Sequence, residues 1–482
     1  MGDASVGLFW IACSLFARVT AVEGDIEAAD RFGELLDWMQ SGIDGAGLGT
    51  EQPLLRETFE LRRLPHGNAL FSKRHIPAGT TIAFLPVSRL IYDAVYSSHL
   101  QHIQGLPHNA QMTAWIIQQQ RLGAASPWAP WVNMLPKQHS LPKNWDTTSL
   151  ESHLQGSPFP RLVQGLSEIT RREFEGFMGE TGLLWEEYDW AHDVLATRSL
   201  FWNSTWVNDS KRSGALFPVL DLMSHGWPAN IDKEFDKSRH ALRVHATRLI
   251  KEGDEFLHAY FEPWRSSNSH ILGAWGFAIE DARRTFDIHV SPASEGDNGV
   301  ETSISETASD PSATVLLGYF RARAAPRQPL RLPFSLPEDW AGLADPNTGA
   351  LYYWNTRTGE VTWERPGGGG DDEQGWGRLP VPPTVWSIET AALQQFQELL
   401  HSALKQYPQT LHEDRQLLTN STLDSRMRAT VLLRRDEKMV LAWWLRFIEH
   451  SLSRAGDPED EVDARYLTLN PGPDDLRDHS EL

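Results

Sequence analysis

The chain has 482 residues, 40% hydrophobic and 22% charged, a size and balance suited to two or three globular domains. Asp and Glu outnumber Lys and Arg by 64 to 44, a formal charge of -20. That argues against a phosphate-binding surface, and so no nucleic-acid partner is expected, while a basic peptide would suit the field. Cys13 is the single cysteine, so neither a zinc site nor a disulfide framework can be built and no metal is expected.

Val6 to Phe16 (VGLFWIACSLF) is an apolar run too short to span a membrane, so no transmembrane segment is expected. Val19-Thr20-Ala21 follows at the spacing of a signal-peptidase site, so residues 1–21 are expected to be a secretory signal peptide, although Met1-Gly2-Asp3 supplies no basic residue. The alternative is a buried N-terminal helix. Ala28 to Ser41 carries apolar residues at helical spacing, and Gly42 to Gly49 is expected to be a glycine-rich loop. Phe59 to Pro86 alternates strand-like runs with turns. Asn109 to Leu122 is an amphipathic helix, and Glu168 to Phe201 is expected to be helical with a break near Gly179 and Gly182. Ala241 to Ile250 and Glu255 to Tyr260 are expected strands around the turn Lys251-Glu252-Gly253-Asp254. Residues 291–314, rich in Ser, Glu, Asp, Gly and Thr, are expected to be a flexible loop.

Residues 336–366 read LPEDWAGLADPNTGALYYWNTRTGEVTWERP. Asn347-Thr348-Gly349 and Thr356-Arg357-Thr358-Gly359 are hairpin turns between short aromatic strands. This stretch closely resembles a WW domain. The resemblance makes Trp340, Tyr353 and Pro366 the buckle of the small sheet, and Tyr352 and Trp363 the groove that grips a polyproline II helix. Thr356 stands where readers of Pro-Pro-x-Tyr commonly carry His, so other proline-rich ligands are expected. Leu379-Pro380-Val381-Pro382-Pro383, beyond the linker at 367–373, is an intramolecular candidate. Glu389 to Leu404 and Leu423 to Leu452 are helical. The acidic tail at 456–482 ends His479-Ser480-Glu481-Leu482, similar to an endoplasmic-reticulum retention signal. The lumen of that compartment is the expected location, with cytoplasm or plastid as alternatives.

LFPVLDLMSHGWPAN, with Asp221, Ser224, His225 and Asn230, and GDEFLHAYFEPWRSSNSHILGAWGFAIED, with Tyr260 and Gly276-Phe277, together resemble the C-terminal part of a SET domain. Within that family they are similar to the branch of the Rubisco large-subunit lysine methyltransferase and the actin-histidine methyltransferase. YPQTLHEDRQLL and RATVLLRRDEKMVL resemble the helical substrate-binding domain that follows SET in this branch. The implied fold is α+β: a β-rich SET domain at 30–290 with a helical insert at about 95–205, then a helical domain at 315–335 and 374–455 that carries the three-stranded WW module.

The implied activity is S-adenosylmethionine-dependent methylation of a lysine on a protein substrate. Tyr260 would be catalytic, its hydroxyl orienting the amine in the transfer channel. Gly67, Asn68, Ala69 and Leu70 occupy the turn where backbone approaches the cofactor. Ala69 replaces a second glycine there, at a cost of about 1 kcal/mol if φ must be positive. Arg198 would fork onto the cofactor's carboxylate. Asp221, Ser224 and His225 occupy the D-x-x-N-H motif, with His225 near the adenine and Ser224 shortening the amide's reach. Leu200, where the histidine-methylating relative has Asn, favours lysine, and Trp275 and Phe277 would line the substrate channel. Phe261 replaces the glycine that usually follows the tyrosine. These substitutions leave two alternatives: a catalytically weak or inactive SET/WW adaptor, and a protein-histidine methyltransferase.

Overall fold

A computed structural model describes residues 27–49, 53–64, 67–96, 107–177, 182–203, 212–291, 299–307, 311–324, 337–344, 351–358, 361–362, 386–456, 458 and 462. The expected signal peptide, the 367–373 linker, Leu379–Pro383, Trp363, Pro366 and the last four residues lie outside them. The chain divides into two compact units, residues 1–144 with 165–262, and 145–164 with 263–482.

The first unit opens with helix α1 over 27–45. Phe32, Leu35, Leu36, Met39 and Ile43 recur at helical spacing and are all buried, so one apolar stripe faces the core. The helix runs through Gly42, into the stretch expected to be loop. Strands β1 (Phe59–Leu64) and β2 (Gly67–Ser72) form an antiparallel hairpin in which Leu61 opposes Leu70. Strand β3 (Thr81–Pro86) contributes Ile82, Ala83, Phe84 and Leu85 to the core. Helix α2 (His108–Leu122) buries Trp115, Ile116 and Ile117. Helix α3 (Phe159–Phe177), which belongs to this unit from Gly165 onward, is followed by α4 (Trp185–Arg198).

Leu200–Asn203 then forms strand β4 against β5 (Arg212–Ala215) instead of extending the helix. Its apolar LFW run suits either state, and pairing with β5 decides for the strand. Strand β6 (Ser224–His225), β7 (Ile231–Asp236), β8 (Ala241–Ala246) and β9 (Leu257–His258) complete the unit. β8 lies between β3 and β7, which explains its apolar Ala241, Leu242, Val244 and Ala246 and the charged, alternating IDKEFD of β7 at the edge. β6 and β9 run parallel, with Ser224 opposite Leu257 and His225 opposite His258.

In the second unit, α5 (Asn268–Trp275) starts where Ser267 Oγ accepts the His270 N–H and stops at Gly276, whose φ of 80° is a left-handed cap. Strands β10 (Thr285–Val290) and β11 (Val300–Ser305) pair along their whole length. The expected loop at 291–314 therefore holds a strand, because alternating Val300, Thr302 and Ile304 satisfy the open edge of β10. Helix α6 (Pro311–Ala324) begins inside that stretch too. Strands β12 (Trp340–Ala344), β13 (Leu351–Asn355) and β14 (Val361–Thr362) make the three-stranded sheet, with Tyr353 buried. Helices α7 (Trp386–Leu404), α8 (Leu411–Leu418) and α9 (Ser425–Leu452) form the helical body. Phe320 stacks on Phe396 at its centre, and Trp444 packs against Phe396 at a tilt of 56°. Asp414 is fully buried on α8 and accepts hydrogen bonds from Arg434 at 2.5 Å and Lys438 at 2.6 Å. Both cations are themselves nearly inaccessible.

Candidate functional site

The site residues of the first unit collect where β6 and β9 lie side by side. The register puts His225 beside His258, and the chain after β9 brings Tyr260 onto His225. The Tyr260 N–H donates to His225 Nδ1 at 3.1 Å, which fixes the imidazole proton on Nε2. The Tyr260 hydroxyl donates to the Met223 carbonyl at 2.6 Å. Its hydrogen is thereby committed to the backbone, and the remaining lone pairs can accept from a ligand. Burial pushes the phenol up to about 12; Arg198 opposes this, while Asp221 and Glu255 add to it. Tyr260 therefore stays protonated at neutral pH and acts by orientation and dipole.

Phe261 lies flat on His225, with ring centroids 4.2 Å apart and planes 17° from parallel. Burial holds His225 down at about 4, so the imidazole is neutral at physiological pH. His258, nearly inaccessible, faces Tyr260 with centroids 5.8 Å apart and is held at about 3 by burial, then by Lys233 and His225. Lys233 Nζ lies 2.6 Å from His258 Nε2, and burial lowers the lysine as well. Neither residue was singled out from sequence. His258 could have been, since it stands two positions before Tyr260 and so shares its face of an extended segment. Lys233 sits on an edge strand, where a lysine reads as a solvated charge.

Asn230 supports this arrangement. It is buried, its Nδ2 donates to the Glu255 carbonyl at 2.7 Å, and its Oδ1 accepts the Leu257 N–H at 2.7 Å. One amide thus holds both ends of the segment that leads to Tyr260.

A second cluster is built on the end of α4. Arg198 Nη1 donates to Asp221 Oδ2 at 3.2 Å and to the Asp221 carbonyl at 3.1 Å, and Trp131 Nε1 donates to the same Oδ2 at 3.0 Å. Burial pushes the Asp221 carboxyl up, against the pull of Arg198 and the indole. Among the described residues Arg198 Nε and Nη2 make no hydrogen bond, and the buried Asp221 Oδ1 has no partner. One edge of the guanidinium is thus fixed while the other remains available to an anion. Val219, just ahead of the Asp221 turn, has φ 78°, a strained conformation for a β-branched residue.

Gly67–Leu70 are strand residues, not a turn. Gly67 alone has positive φ, at 135°, while Ala69 is extended and buried, so the alanine carries no backbone penalty. Leu70 accepts the Phe256 N–H at 2.8 Å, and β2 lies against the Leu220–Leu222 turn. The structure therefore brings β2, Asp221, Arg198, His225 and Tyr260 into one neighbourhood. Ser224 is half-buried on β6, and Leu200, the first residue of β4, packs on the core of this unit. Trp275 and Phe277 belong to the second unit, where Trp275 stands edge-on to His270 with centroids 5.5 Å apart. In the small sheet, Thr356 is exposed and its Oγ1 donates to the Asp339 carbonyl at 3.0 Å; the side chain of Tyr352 lies outside the described residues. Among the described residues there is no group of three or more His, Cys, Asp or Glu that could hold a metal, and no helix is long and apolar enough to cross a membrane.

Residues 369–441 match the family described as Rubisco LSMT substrate-binding, and residues 336–366 match the WW domain. The fold is similar to the structure of Rubisco LSMT bound to AdoMet, at TM-score 0.62 and 18% identity over 92% of this chain and 98% of that one. It is also similar to the SET domain of LSMT bound to lysine and AdoHcy, at TM-score 0.60 and 16% identity over 92% and 97%. Among curated proteins, Formin-binding protein 4 of Homo sapiens and that of Mus musculus are each 64% identical over 28 residues, 6% of this chain. The chain spans 3% of the length of these relatives. The chain thus has the SET-type fold of the LSMT structures, with a helical C-terminal segment similar to that family model and a WW domain.

Proposed function

We propose that this chain is an S-adenosylmethionine-dependent protein-lysine N-methyltransferase whose WW domain recruits proline-rich partners. The observation that carries the proposal is the Tyr260 hydroxyl, anchored on the Met223 carbonyl within an LSMT-like fold. The residues present fit the cofactor. Arg198, held from one side by Asp221, offers its free donors to the carboxylate, and the Gly67–Leu70 backbone, Asp221, Ser224 and His225 would surround the rest. When bound, the cofactor supplies an electrophilic sulfonium methyl. Tyr260 orients the acceptor amine through its lone pairs and stabilises the polarised methyl by its dipole.

A free lysine amine titrates near 10.4 and must be neutral to react, and a water-poor channel walled by aromatic groups favours that form. Leu200 is assigned to that channel and, offering no hydrogen bond to an imidazole, supports lysine over histidine. Tyr352, Thr356 and Trp363 are assigned to the proline groove, with 379–383 as the candidate ligand in the same chain.

Calorimetry with S-adenosylmethionine, followed by mass spectrometry of methylated proteins, tests the reading. Binding that survives Tyr260→Phe, with methyl transfer reduced about a hundredfold or more, is the expected result. A folded chain without cofactor affinity would instead be a SET/WW adaptor, the reading favoured by Phe261 covering His225. The same proposal places the chain in the endoplasmic-reticulum lumen. Its sequon at Asn420, exposed in the structure, would then carry an endoglycosidase-sensitive glycan, and an unmodified Asn420 would count against that location.

A further inference from the structure

The second unit contains a cleft of about 350 Å³ lined by Glu280, Asp281, Arg284, Arg415, Leu418, Arg435 and Met439. Three guanidinium groups meet there in a chain whose formal charge is -20. Their states of engagement differ. Arg435 is fixed: it donates to Asp436 Oδ1 at 2.9 and 2.7 Å and to Glu280 Oε2 at 2.5 Å. Arg284 donates through Nη1 to Glu306 at 2.8 Å, while its buried Nε has no hydrogen-bond partner among the described residues and lies 4.0 Å from Asp436 Oδ1. Arg415, exposed at the last turn of α8, makes no ion pair or hydrogen bond among the described residues. Asp281, at the opposite end of the sign scale, is also exposed and unpaired among them. Leu418 and Met439 give the cleft apolar lining between these charges.

We propose that this cleft is a docking site for the protein substrate that takes a segment with one Asp or Glu side chain beside an apolar residue. Arg415, with its full set of donors open, pairs with the carboxylate, and Leu418 and Met439 cover the apolar neighbour. Arg435, already held by Asp436 and Glu280, is the rigid wall that keeps the cleft open. Asp281 and Glu280 disfavour a second acid in the same segment and favour a basic residue next to the first, so a mixed-charge segment is selected over a polyacidic one. Arg415, Leu418, Arg435 and Met439 all lie within 369–441, the stretch matched to the substrate-binding family. The inference rests on the reading of the chain as a protein-modifying enzyme and deepens it by naming the substrate's local chemistry.

The probe is an immobilised array of lysine-containing peptides in which each position in turn is Glu, Gln or Lys beside Leu or Ala. The full chain is applied without cofactor and affinities are read by fluorescence. A preference for Glu over Gln beside Leu is expected, reduced about fivefold or more by Arg415→Glu, retained by Arg415→Lys and strengthened by Asp281→Lys. Equal binding of Glu and Gln peptides at every position, or an Arg415→Glu protein with undiminished preference, overturns the site. Because the readout needs no cofactor, it is independent of failure to bind S-adenosylmethionine, which bears on the methyltransferase reading alone.

Discussion

Removing the Asn230 side chain should loosen the segment that carries Tyr260. In Asn230→Ala the Leu257 N–H and the Glu255 carbonyl each lose the partner they have at 2.7 Å. Asn230 is only 5% exposed, so water cannot replace the amide without rearrangement. Each buried group left unsatisfied costs about 1–3 kcal/mol, giving about 2–6 kcal/mol for the pair. A domain of this kind holds about 5–15 kcal/mol in total, so the loss is a large fraction of it. With a urea dependence of about 2 kcal/mol per molar, the midpoint should fall by about 1–3 M. Circular dichroism gives the transition, and hydrogen exchange of peptides covering 255–262 assigns it to the first unit. A midpoint within about 0.2 M of wild type, with unchanged protection there, would refute the reasoning. Asn230→Asp separates the two bonds: the new carboxylate still accepts from Leu257 but faces the Glu255 carbonyl. Its pKa should rise on folding, so this variant gains stability as pH falls and loses it as pH rises.

Asp414→Asn should destabilise the second unit by about 3–5 kcal/mol, because Arg434 and Lys438 are left buried without their anion; a urea midpoint close to wild type would contradict this. Burial pushes Glu437 up to about 8, even though Ser157 and Tyr407 donate to it, each at 2.8 Å. The folded state therefore holds this proton where the unfolded chain, near 4.5, has released it. Its stabilising contribution is complete below that lower value and declines as pH rises toward 8, so Glu437→Gln should flatten the stability profile across that window. In the small sheet, Thr356→His removes the hydroxyl bond to Asp339 and should shift peptide preference toward Pro-Pro-x-Tyr, read by fluorescence anisotropy against proline-rich peptides.

Much of the architecture was legible where the signal is periodic. The α1 stripe, the hairpin of β1 and β2 and the long α9 helix follow from apolar spacing, which local sequence carries in full. The exceptions are short elements. Leu200–Asn203 and Val300–Ser305 are strands because β5 and β10 present open edges to them, and a short apolar window that fits helix or strand equally does not include the partner that decides between them.

At the site, Tyr260, His225, Asp221 and Arg198 were all chosen from sequence, and the structure joins them in one neighbourhood. Their neighbours were not legible. Lys233 reads as an edge-strand charge, Trp131 as a core aromatic and Met223 as a filler, yet they contact His258, Asp221 and the Tyr260 hydroxyl. The order of motifs along the chain determined the fold class, the WW module and the residue types proposed for methyl transfer. Tertiary structure alone decided that Ala69 is extended, that Arg198 keeps one edge open, and that the Tyr260 hydrogen is committed to a backbone carbonyl. The physical reason is that spacing encodes which face a side chain occupies, whereas hydrogen-bond commitment and burial depend on groups brought together from distant parts of the chain.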